Sequence, residues 1–411
     1  MQLKIHRGTD EIGGSCVEIS TAKTTILVDL GEPLDKSGRK IDLKDKKIDG
    51  VLISHPHMDH YGQICFLDKN IPVHMGKLGK NFLDTVATFT TGKLPQNLFK
   101  YFTKNIPFHV GDINITPFLV DHSSMDAYAF LIQADGKSIV YSGDFRATGY
   151  KGFLFDDVIH RIKEKNRSID AMLMEGTCIA REESVFPDEK SVANELRKIL
   201  KGQTSLSFLV SSSSTIDRMV STSLVCEETD KIFVVDIYTA YVLELMRSVS
   251  KRVPNTDCKH LKVLARGKYA KNHYFKIRNN PHYADFIKKI YSKDHVIELK
   301  DIEKDPKKYL VKISTVYISE LAKKFANKEN KPNIIYSMWK GYDAYKELAD
   351  IKNTNFYYAH TSGHASLKYL QQFAKAINPK KLIPIHTFEK EKYPELFENV
   401  KLLKDGDVLK L

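Results

Sequence analysis

The feature that most constrains this 411-residue sequence is a cluster of metal-ligand side chains directly after a short apolar run. Residues 54–60 read SHPHMDH, and they follow residues 51–53, which are typical of a buried strand. Three imidazoles and a carboxylate within six residues are unfavourable to bring together unless they share a function. Nitrogen and oxygen donors of this kind suit zinc. The segment therefore predicts a metal site at the end of a strand.

Cysteine usage narrows the choice of ligands. The five cysteines are scattered, odd in number and form no C-x-x-C pair. A disulfide framework and a thiolate zinc site are therefore both disfavoured. Any bound metal is expected to be held by imidazoles and carboxylates.

The apolar segments argue against a membrane or secreted protein. The longest runs, such as residues 171–174, are far shorter than the roughly 20 residues that span a bilayer. The first residues are interrupted by polar side chains and lack the apolar core of a signal peptide. We therefore expect a cytoplasmic protein with no membrane partner.

Hydropathy patterning along the chain indicates two kinds of architecture. The first third reads as short β-branched runs joined by polar turns, whereas strand-like and helical patterns alternate from about residue 176. Near residue 355 short strands return, with a helix between them. Alternating strands and helices favour a parallel sheet. We therefore predict an α/β protein in which residues 176–354 form a domain inserted between residues 1–175 and residues 355–411.

The positive charge of the chain is unevenly distributed. The net charge is +12, and residues 251–280 contain nine lysines and arginines against one aspartate, interleaved with aromatic residues. A solvated surface loop is one interpretation of this basic segment. The other is a surface for a polyanion, because phosphate neutralisation drives affinity and rings can stack on unpaired bases.

The cluster of residues 54–60 resembles the H-x-H-x-D-H signature of the metallo-β-lactamase superfamily, without a departure. That resemblance implies further motifs downstream in a set order. His122, in the run DHS, matches the third motif, and Asp144, in the run YSGDFR, matches the fourth, as a carboxylate shared by two metals. Asp29, at the end of an apolar run, resembles the first motif, a supporting residue more than a ligand. The agreement in order makes coincidence improbable.

Three later runs resemble motifs of the β-CASP branch of this superfamily, whose members act on nucleic acids. Glu175, in the run MEGT, matches motif A; His364, in HTSGH, matches motif B; and His386, in PIH, matches motif C. A serine-rich run from residue 211 stands where β-CASP ribonucleases carry a strand-to-helix turn. The resemblance therefore implies a metallo-β-lactamase αββα sandwich with an inserted α/β β-CASP domain.

Over nearly its whole length the chain resembles ribonuclease J and its archaeal and bacterial relatives. In that branch a motif C histidine, here His386, marks RNA-directed members, whereas DNA-directed members tend to carry valine. One departure is that the family often reads His-Gly-Glu where this sequence has His386, Thr387 and Phe388. Another is that the sequence ends at Leu411, without the additional C-terminal domain of bacterial ribonuclease J. The second departure leaves the mode of dimerisation open.

The resemblance implies two bound zinc ions, which manganese can replace. Their ligand sets would be His55, His57, His122 and Asp144 for one ion, and Asp59, His60, Asp144 and His386 for the other. Together the ions would activate a water molecule as the hydroxide that attacks phosphorus. Asp59 would orient that hydroxide. His364, supported by Glu175, would protonate the leaving oxygen or offset charge on the phosphate.

A second group of residues is expected to bind phosphate or RNA. Its members are Ser213, Ser214, Thr215, His360, Ser362 and Gly363. Because residues 213–215 precede a helical pattern, they can also be interpreted as a helix cap. The two interpretations are compatible, since a helix N-terminus is itself a phosphate site. Such contacts would decide whether cleavage runs from a 5′ end, so exonuclease and endonuclease action both stay open.

The implied function is a zinc-dependent ribonuclease that hydrolyses phosphodiester bonds of single-stranded RNA, as a monomer or a homodimer. A β-CASP DNA nuclease, with single-stranded DNA as its partner, is an alternative that His386 disfavours. A small-molecule hydrolase of the same fold is a second alternative, which Glu175, His364 and the inserted domain disfavour. A non-catalytic nucleic-acid-binding protein is a third, which the complete set of ligand positions disfavours.

Overall fold

The computed structural model describes residues 1–35, 37–44, 46–181, 184–292, 294–326 and 331–411. The chain forms two compact units. The first unit comprises Met1–Asp84, Leu94–Glu183 and Gly363–Leu411, and the second comprises Thr85–Lys93 and Ser184–Ser362. The interpretation of the first unit as a catalytic domain and of the second as an inserted β-CASP domain stays a prediction.

The strands of the first unit form two sheets. The first sheet contains β1 (Gln2–Arg7), β2 (Cys16–Ser20), β3 (Thr25–Val28), β4 (Gly50–Leu52), β5 (Pro72–Gly76), β6 (Leu98–Phe102) and β20 (Val408–Lys410). The second contains β7 (Phe108–Val110), β8 (Ile113–Leu119), β9 (Tyr128–Ala134), β10 (Lys137–Tyr141), β11 (Ala171–Glu175) and β19 (Leu382–Ile385). Their orders are β20-β1-β2-β3-β4-β5-β6 and β19-β11-β10-β9-β8-β7.

Helices cover the outer faces of these two sheets. The helices of the first unit are α1 (Met58–Tyr61), α2 (Lys77–Phe89, whose last turn is assigned to the second unit), α3 (Leu154–Lys165), α12 (Leu367–Ile377) and α13 (Tyr393–Leu396). One outer face packs with Tyr61 and Leu83, and the other packs with Ile162 and Leu370.

A shared apolar core joins the two sheets of the first unit. Alternate residues of β1, such as Leu3 and Ile5, are buried against residues of the second sheet, such as Phe130 and Ile139. Strands with one face toward a core show this period of two. The layers therefore follow the order helix, sheet, sheet, helix, and the predicted αββα sandwich is confirmed.

The second unit contains one parallel sheet with helices around it. Its strands are β12 (Ser207–Val210), β13 (Ile232–Asp236), β14 (Leu261–Leu264), β15 (Val296–Ile297), β16 (Tyr309–Lys312), β17 (Asn333–Tyr336) and β18 (Asn355–Tyr358). Its helices are α4 (Glu189–Lys201), α5 (Ile216–Glu228), α6 (Ile237–Arg247), α7 (Lys268–Ile277), α8 (Ala284–Tyr291), α9 (Leu299–Lys304), α10 (Thr315–Phe325) and α11 (Ala344–Ala349). The strand order is β15-β14-β13-β16-β12-β17-β18, and every pairing recorded in it is parallel. The predicted parallel α/β architecture is confirmed.

Two segments differ from the sequence interpretation. Strand β18 pairs with β17 in the second unit, whereas the prediction assigned residues from 355 onward to the first domain. The run of aromatic residues in β18 is compatible with either sheet, so only its partner strand decides. The basic segment, residues 251–280, is not a plain loop, because it contains β14 and α7.

Among the described residues, no helix combines the length and the apolar character that crossing a bilayer requires.

Candidate metal centre

Backbone hydrogen bonds fix the loop that follows β4. The N–H of Ser15 donates to the carbonyl of Asp59 at 3.1 Å, and the N–H of Leu30 donates to that of His60 at 2.8 Å. Gly31 lies so close to the Asp59 carbonyl that any Cβ atom there would overlap it, at 1.7 Å. The ligand loop is thus held in one conformation by two neighbouring backbone segments, at residue 15 and at residues 30–31.

Three imidazoles converge on one point. His57 Nδ1 lies 3.1 Å from His55 Nε2 and 3.3 Å from His122 Nε2. Zinc–nitrogen bonds of about 2.0–2.1 Å in a tetrahedron place neighbouring ligand nitrogens about 3.3–3.4 Å apart. The three nitrogen atoms therefore have the spacing of ligands to one zinc ion.

The hydrogen bonds of the outer ring nitrogens decide which atoms face inward. His122 Nδ1 lies 2.6 Å from the carbonyl of Gly363, which can only accept, so Nδ1 carries the hydrogen. His55 Nδ1 lies 3.1 Å from the hydroxyl of Ser54, which itself donates to Asp29. Both Nε2 atoms are then unprotonated, and His57 Nδ1 could donate to only one of them. A cation between the three rings satisfies all of these lone pairs.

A second group of ligand atoms adjoins the first. His60 Nε2 lies 3.2 Å from an Asp144 oxygen and 3.8 Å from an Asp59 oxygen, and His386 Nε2 lies 3.4 Å from the same Asp59 oxygen. His60 Nε2 is buried and has no hydrogen-bond partner among the described residues. All seven predicted metal ligands lie in overlapping groups whose ligand atoms are within 4.8 Å of one another.

Burial and charge give the two groups different electrostatic character. Burial lowers the pKa of His57 to about 4, and it holds the pKa values of His55 and His122 well below the usual range. Neutral imidazole is the form that binds metal. Burial would also lower the pKa of His60, but Asp144 and Asp29 outweigh it and raise that pKa. The His60 position therefore attracts positive charge.

Asp29 holds the ligand loop through hydrogen bonds to its side chain. This fully buried carboxylate accepts hydrogen bonds from the Ser54 N–H at 2.7 Å, the Ser54 hydroxyl at 2.8 Å, His60 Nδ1 at 2.8 Å and the Tyr141 hydroxyl at 2.7 Å. Because Nδ1–H of His60 points at Asp29, its Nε2 atom points toward Asp144. Such outer partners set the tautomer and orientation of metal-binding histidines.

The buried Glu175 and the half-buried His364 form a pair beside Asp144. His364 Nδ1 lies 3.2 Å from Glu175 Oε1 and 3.8 Å from an Asp144 oxygen. The other Glu175 oxygen accepts from the N–H of Thr177 at 3.1 Å. Burial would lower the pKa of His364, but Glu175 and Asp144 raise it on balance. The pair can therefore hold a proton next to the ligand cluster.

Two supporting residues were not assigned a role from the sequence. The Thr177 hydroxyl lies 2.8 Å from His386 Nδ1, and the Tyr393 hydroxyl donates to the carbonyl of Glu175 at 3.0 Å. Thr177 could have been found, because it lies within motif A. Tyr393 follows Glu175 by 218 residues and belongs to no motif, so no sequence signal pointed to it.

The predicted phosphate-binding residues are divided between the two units. Ser213, Ser214, Thr215, His360 and Ser362 belong to the second unit, whereas Gly363 belongs to the first. Thr215 occupies the N-cap position of α5 but makes no side-chain cap hydrogen bond. The Ser213 hydroxyl is buried against Lys312 and Thr239. Their role in phosphate binding stays a prediction.

Comparison with known proteins defines the class of the first unit. Residues 24–204 match the family model of the beta-lactamase superfamily domain. The chain therefore contains a domain of this superfamily. A crystal structure of a protein of unknown function from Enterococcus faecalis V583 has the same fold, with a TM-score of 0.75, 20% identity and coverage of 100% of this chain and 99% of that one.

The chain is also similar to ribonucleases of the J type. It is 26% identical to Ribonuclease J of Helicobacter pylori over 231 residues, which cover 52% of this chain and 33% of the relative. It is 28% identical to Probable RNase MJ4 of Methanocaldococcus jannaschii over 210 residues, or 46% and 47% of the two chains. The matched region thus spans a third of the Helicobacter relative. The predicted superfamily and the resemblance to ribonuclease J are confirmed, whereas the β-CASP branch stays a prediction.

Proposed function

We propose that this chain is a metal-dependent ribonuclease of the β-CASP branch that hydrolyses phosphodiester bonds in single-stranded RNA. One observation carries the proposal: Asp144 belongs both to the group with His55 and His60 and to the group with His364 and His386. A carboxylate shared in this way is suited to bridge two metal ions. The names of the relatives supply the substrate, since they are ribonucleases.

The donor set fits two zinc ions. His55, His57 and His122 would bind one ion and Asp59, His60 and His386 the other, with Asp144 shared between them. When bound, the two ions would lower the pKa of a water molecule and offset negative charge on the phosphate. Manganese also accepts nitrogen and oxygen donors, so the donor set leaves both metals open.

The remaining chemistry belongs to side chains of the chain itself. Asp59 is partly exposed, at 16%, so one face of its carboxylate can orient the attacking water and accept its proton. Glu175 fixes the ring of His364 through Nδ1, which leaves Nε2 to donate a proton to the leaving oxygen. The His364 side chain is 20% exposed and can meet a substrate. Asp59 would thus act on the proton of the attacking water, and His364 on that of the leaving oxygen.

Substitution of metal ligands tests this proposal. We expect Asp59→Ala and His60→Ala each to lower RNA cleavage by about 10³-fold or more, because each removes a ligand and a charge from the reacting centre. Mass spectrometry of the purified variants should find less than the wild-type metal content. Circular dichroism would verify that both variants remain folded.

His160→Ala is the matched control for these variants. His160 lies on α3, is 71% exposed and pairs with Glu164 in the next turn. Its variant should keep wild-type cleavage and metal content. Near-wild-type turnover in a folded Asp59→Ala or His60→Ala variant would contradict the two-metal proposal.

A further inference from the structure

The loop after β17 carries the only tryptophan of the sequence, Trp339. We call residues 337–342 the aromatic loop. The side chain of Trp339 is 47% exposed and that of Tyr342 is 51% exposed. Their ring centroids lie 5.5 Å apart, with the planes nearly perpendicular at 88°. Two large exposed rings in one short loop add little to the core of the second unit, which indicates a binding role.

The backbone of the aromatic loop orients the indole. A Cβ atom at Gly341 would lie 2.2 Å from the Trp339 ring, so the ring rests directly on the Gly341 backbone. The Trp339 carbonyl accepts hydrogen bonds from the Tyr342 N–H at 3.3 Å and from the Tyr336 hydroxyl at 3.2 Å. The ring is therefore positioned before any ligand arrives, which lowers the entropy cost of binding.

Ser337 connects the aromatic loop to the loops that contain predicted phosphate-binding residues. Its N–H donates to the carbonyl of Val210 at 2.9 Å, and its hydroxyl donates to the carbonyl of Ala359. The serine-rich turn starts directly after Val210, and His360 follows Ala359. In the sheet β17 lies between β12 and β18, so all three loops leave the same carboxyl edge of the parallel strands. That edge is where open α/β sheets bind ligands.

A buried arginine stabilises this arrangement. Arg218 on α5 is fully buried and forms a bidentate ion pair with Glu189 at 2.8 and 3.2 Å. It also donates to the carbonyls of Ser337 at 3.2 Å and Ala359 at 3.4 Å. A charged, planar donor of this kind locks neighbouring backbone segments together. The aromatic loop is consequently a rigid element of the second unit.

Positive charge accompanies the exposed rings. Lys340 is exposed, and its ammonium lies 4.2 Å from the ring centroid of Tyr358. An indole followed in the sequence by an exposed lysine can contact a base through the ring and the adjoining phosphate through the ammonium. A protein partner would not require the neighbouring hydroxyls and His360, so single-stranded nucleic acid is the better fit.

We propose that Trp339 is a stacking platform for an unpaired base of the single-stranded RNA substrate, with Lys340 binding a backbone phosphate beside it. This inference rests on the proposed function, because it assumes that RNA is the ligand of the second unit. It assigns to the aromatic loop a part of substrate binding that the metal ligands cannot supply. Stacking would make the site tolerant of base identity but dependent on a base being present.

Intrinsic fluorescence gives a site-specific test, because the chain has one tryptophan. The protein is first treated with a chelator so that RNA is bound but not cleaved. A 5′-phosphorylated oligoadenylate is then added, and tryptophan emission is recorded alongside the anisotropy of a dye on the 3′ end. We expect quenching of Trp339 that follows the anisotropy curve. An oligomer of abasic ribose phosphates of equal length should bind more weakly and quench little.

Two variants separate stacking from folding. Loss of one base–ring stack should raise the Kd for oligoadenylate by about 5- to 150-fold in Trp339→Ala. Trp339→Phe keeps a ring and should lose less. Neither variant should alter the Kd for the abasic oligomer, and thermal unfolding verifies that each is folded.

Three outcomes would overturn the inference. They are RNA binding without quenching, equal affinities for oligoadenylate and the abasic oligomer, and folded variants that bind like the wild type. Cleavage of RNA by the metal-loaded wild-type protein is measured separately. Cleavage without quenching would remove the stacking platform and leave the proposed function intact, whereas absence of both binding and cleavage would remove both.

Discussion

Two residues at the candidate metal centre hold backbone conformations that side chains other than glycine rarely adopt. Asp29 has a φ of +58° and His386 a φ of +52°. Such conformations cost of order 1–3 kcal/mol each and persist only when the surroundings enforce them. Four hydrogen bonds hold Asp29, and the His386 N–H donates to the carbonyl of Gly8 at 2.7 Å. The surroundings thus enforce these conformations at one candidate ligand, His386, and at one supporting residue, Asp29.

Asp29→Asn tests the supporting role of this carboxylate. Asparagine has nearly the same shape and tolerates a positive φ, but it has one acceptor oxygen in place of two. The hydrogen bond that orients His60 should weaken, and metal affinity should fall by about 10- to 100-fold. Competition with a chromogenic chelator measures this change.

Asp135→Asn provides the matched control. Asp135 also has a positive φ, of +51°, but its side chain is 47% exposed and pairs with the terminal ammonium of Met1. This variant should bind metal like the wild type. Equal metal affinities of the two variants would contradict a supporting role for Asp29.

At the residue scale the sequence named the seven candidate ligands whose atoms the structure brings together, and their role as ligands stays a prediction. His55, His57 and His60 could be named because ligand loops follow strand ends and keep a fixed spacing. The contact of Tyr393 with Glu175 could not be predicted, because it depends on how distant segments pack.

Among the elements, β16 contains an unusual buried charge. All four of its residues are buried, and the last is Lys312, which is 4% exposed. Its ammonium donates to the hydroxyls of Ser213 and Thr239, and no ion pair links it to the described residues. Burial lowers the pKa of Lys312, and Asp236 on β13 offsets part of this effect. His273 on α7 is a further titratable neighbour.

We expect the difference in free energy of unfolding between the Lys312→Met variant and the wild type to depend on pH. The unfolded chain binds this proton up to a pKa near 10.5, whereas the folded chain releases it at lower pH. The cost of burying the charge is therefore complete below the folded pKa and disappears as pH rises toward 10.5. At neutral pH the variant should be at least as stable as the wild type. Its advantage in the free energy of unfolding should shrink as pH increases.

Urea unfolding at a series of alkaline pH values measures this difference. Lys259→Met serves as the control, because Lys259 is exposed and its substitution should give a difference that does not change with pH. An advantage of Lys312→Met that stays constant or grows with pH would contradict the assigned burial cost.

At the element scale the alternation of strands and helices could be predicted from the sequence, but the pairing of the strands could not. The short run around Lys262 forms β14 between β13 and β15, although its lysines suggested a surface loop. The order β13-β16-β12 places a late strand between two early ones. Such crossovers depend on long-range packing, which local hydropathy does not encode.

At the scale of the whole molecule, a candidate two-metal centre belongs to one unit and a candidate RNA-binding edge belongs to the other. The net charge of +12 favours a polyanionic substrate in general. The choice of RNA over DNA depends on His386 and on the names of the relatives. The most direct question about the protein is therefore whether it distinguishes a substrate with a 2′-hydroxyl from one without it.

Cleavage of end-labelled RNA and single-stranded DNA of the same sequence answers this question. Each oligomer carries a 5′-monophosphate, triphosphate or hydroxyl end and is incubated with protein of measured zinc or manganese content. We expect metal-dependent cleavage of RNA that a chelator abolishes, and we expect the DNA to stay intact. Release of mononucleotides only from the monophosphorylated RNA would add a 5′-phosphate site. Cleavage of DNA alone, or intact RNA with a fully metal-loaded protein, would contradict the central claim.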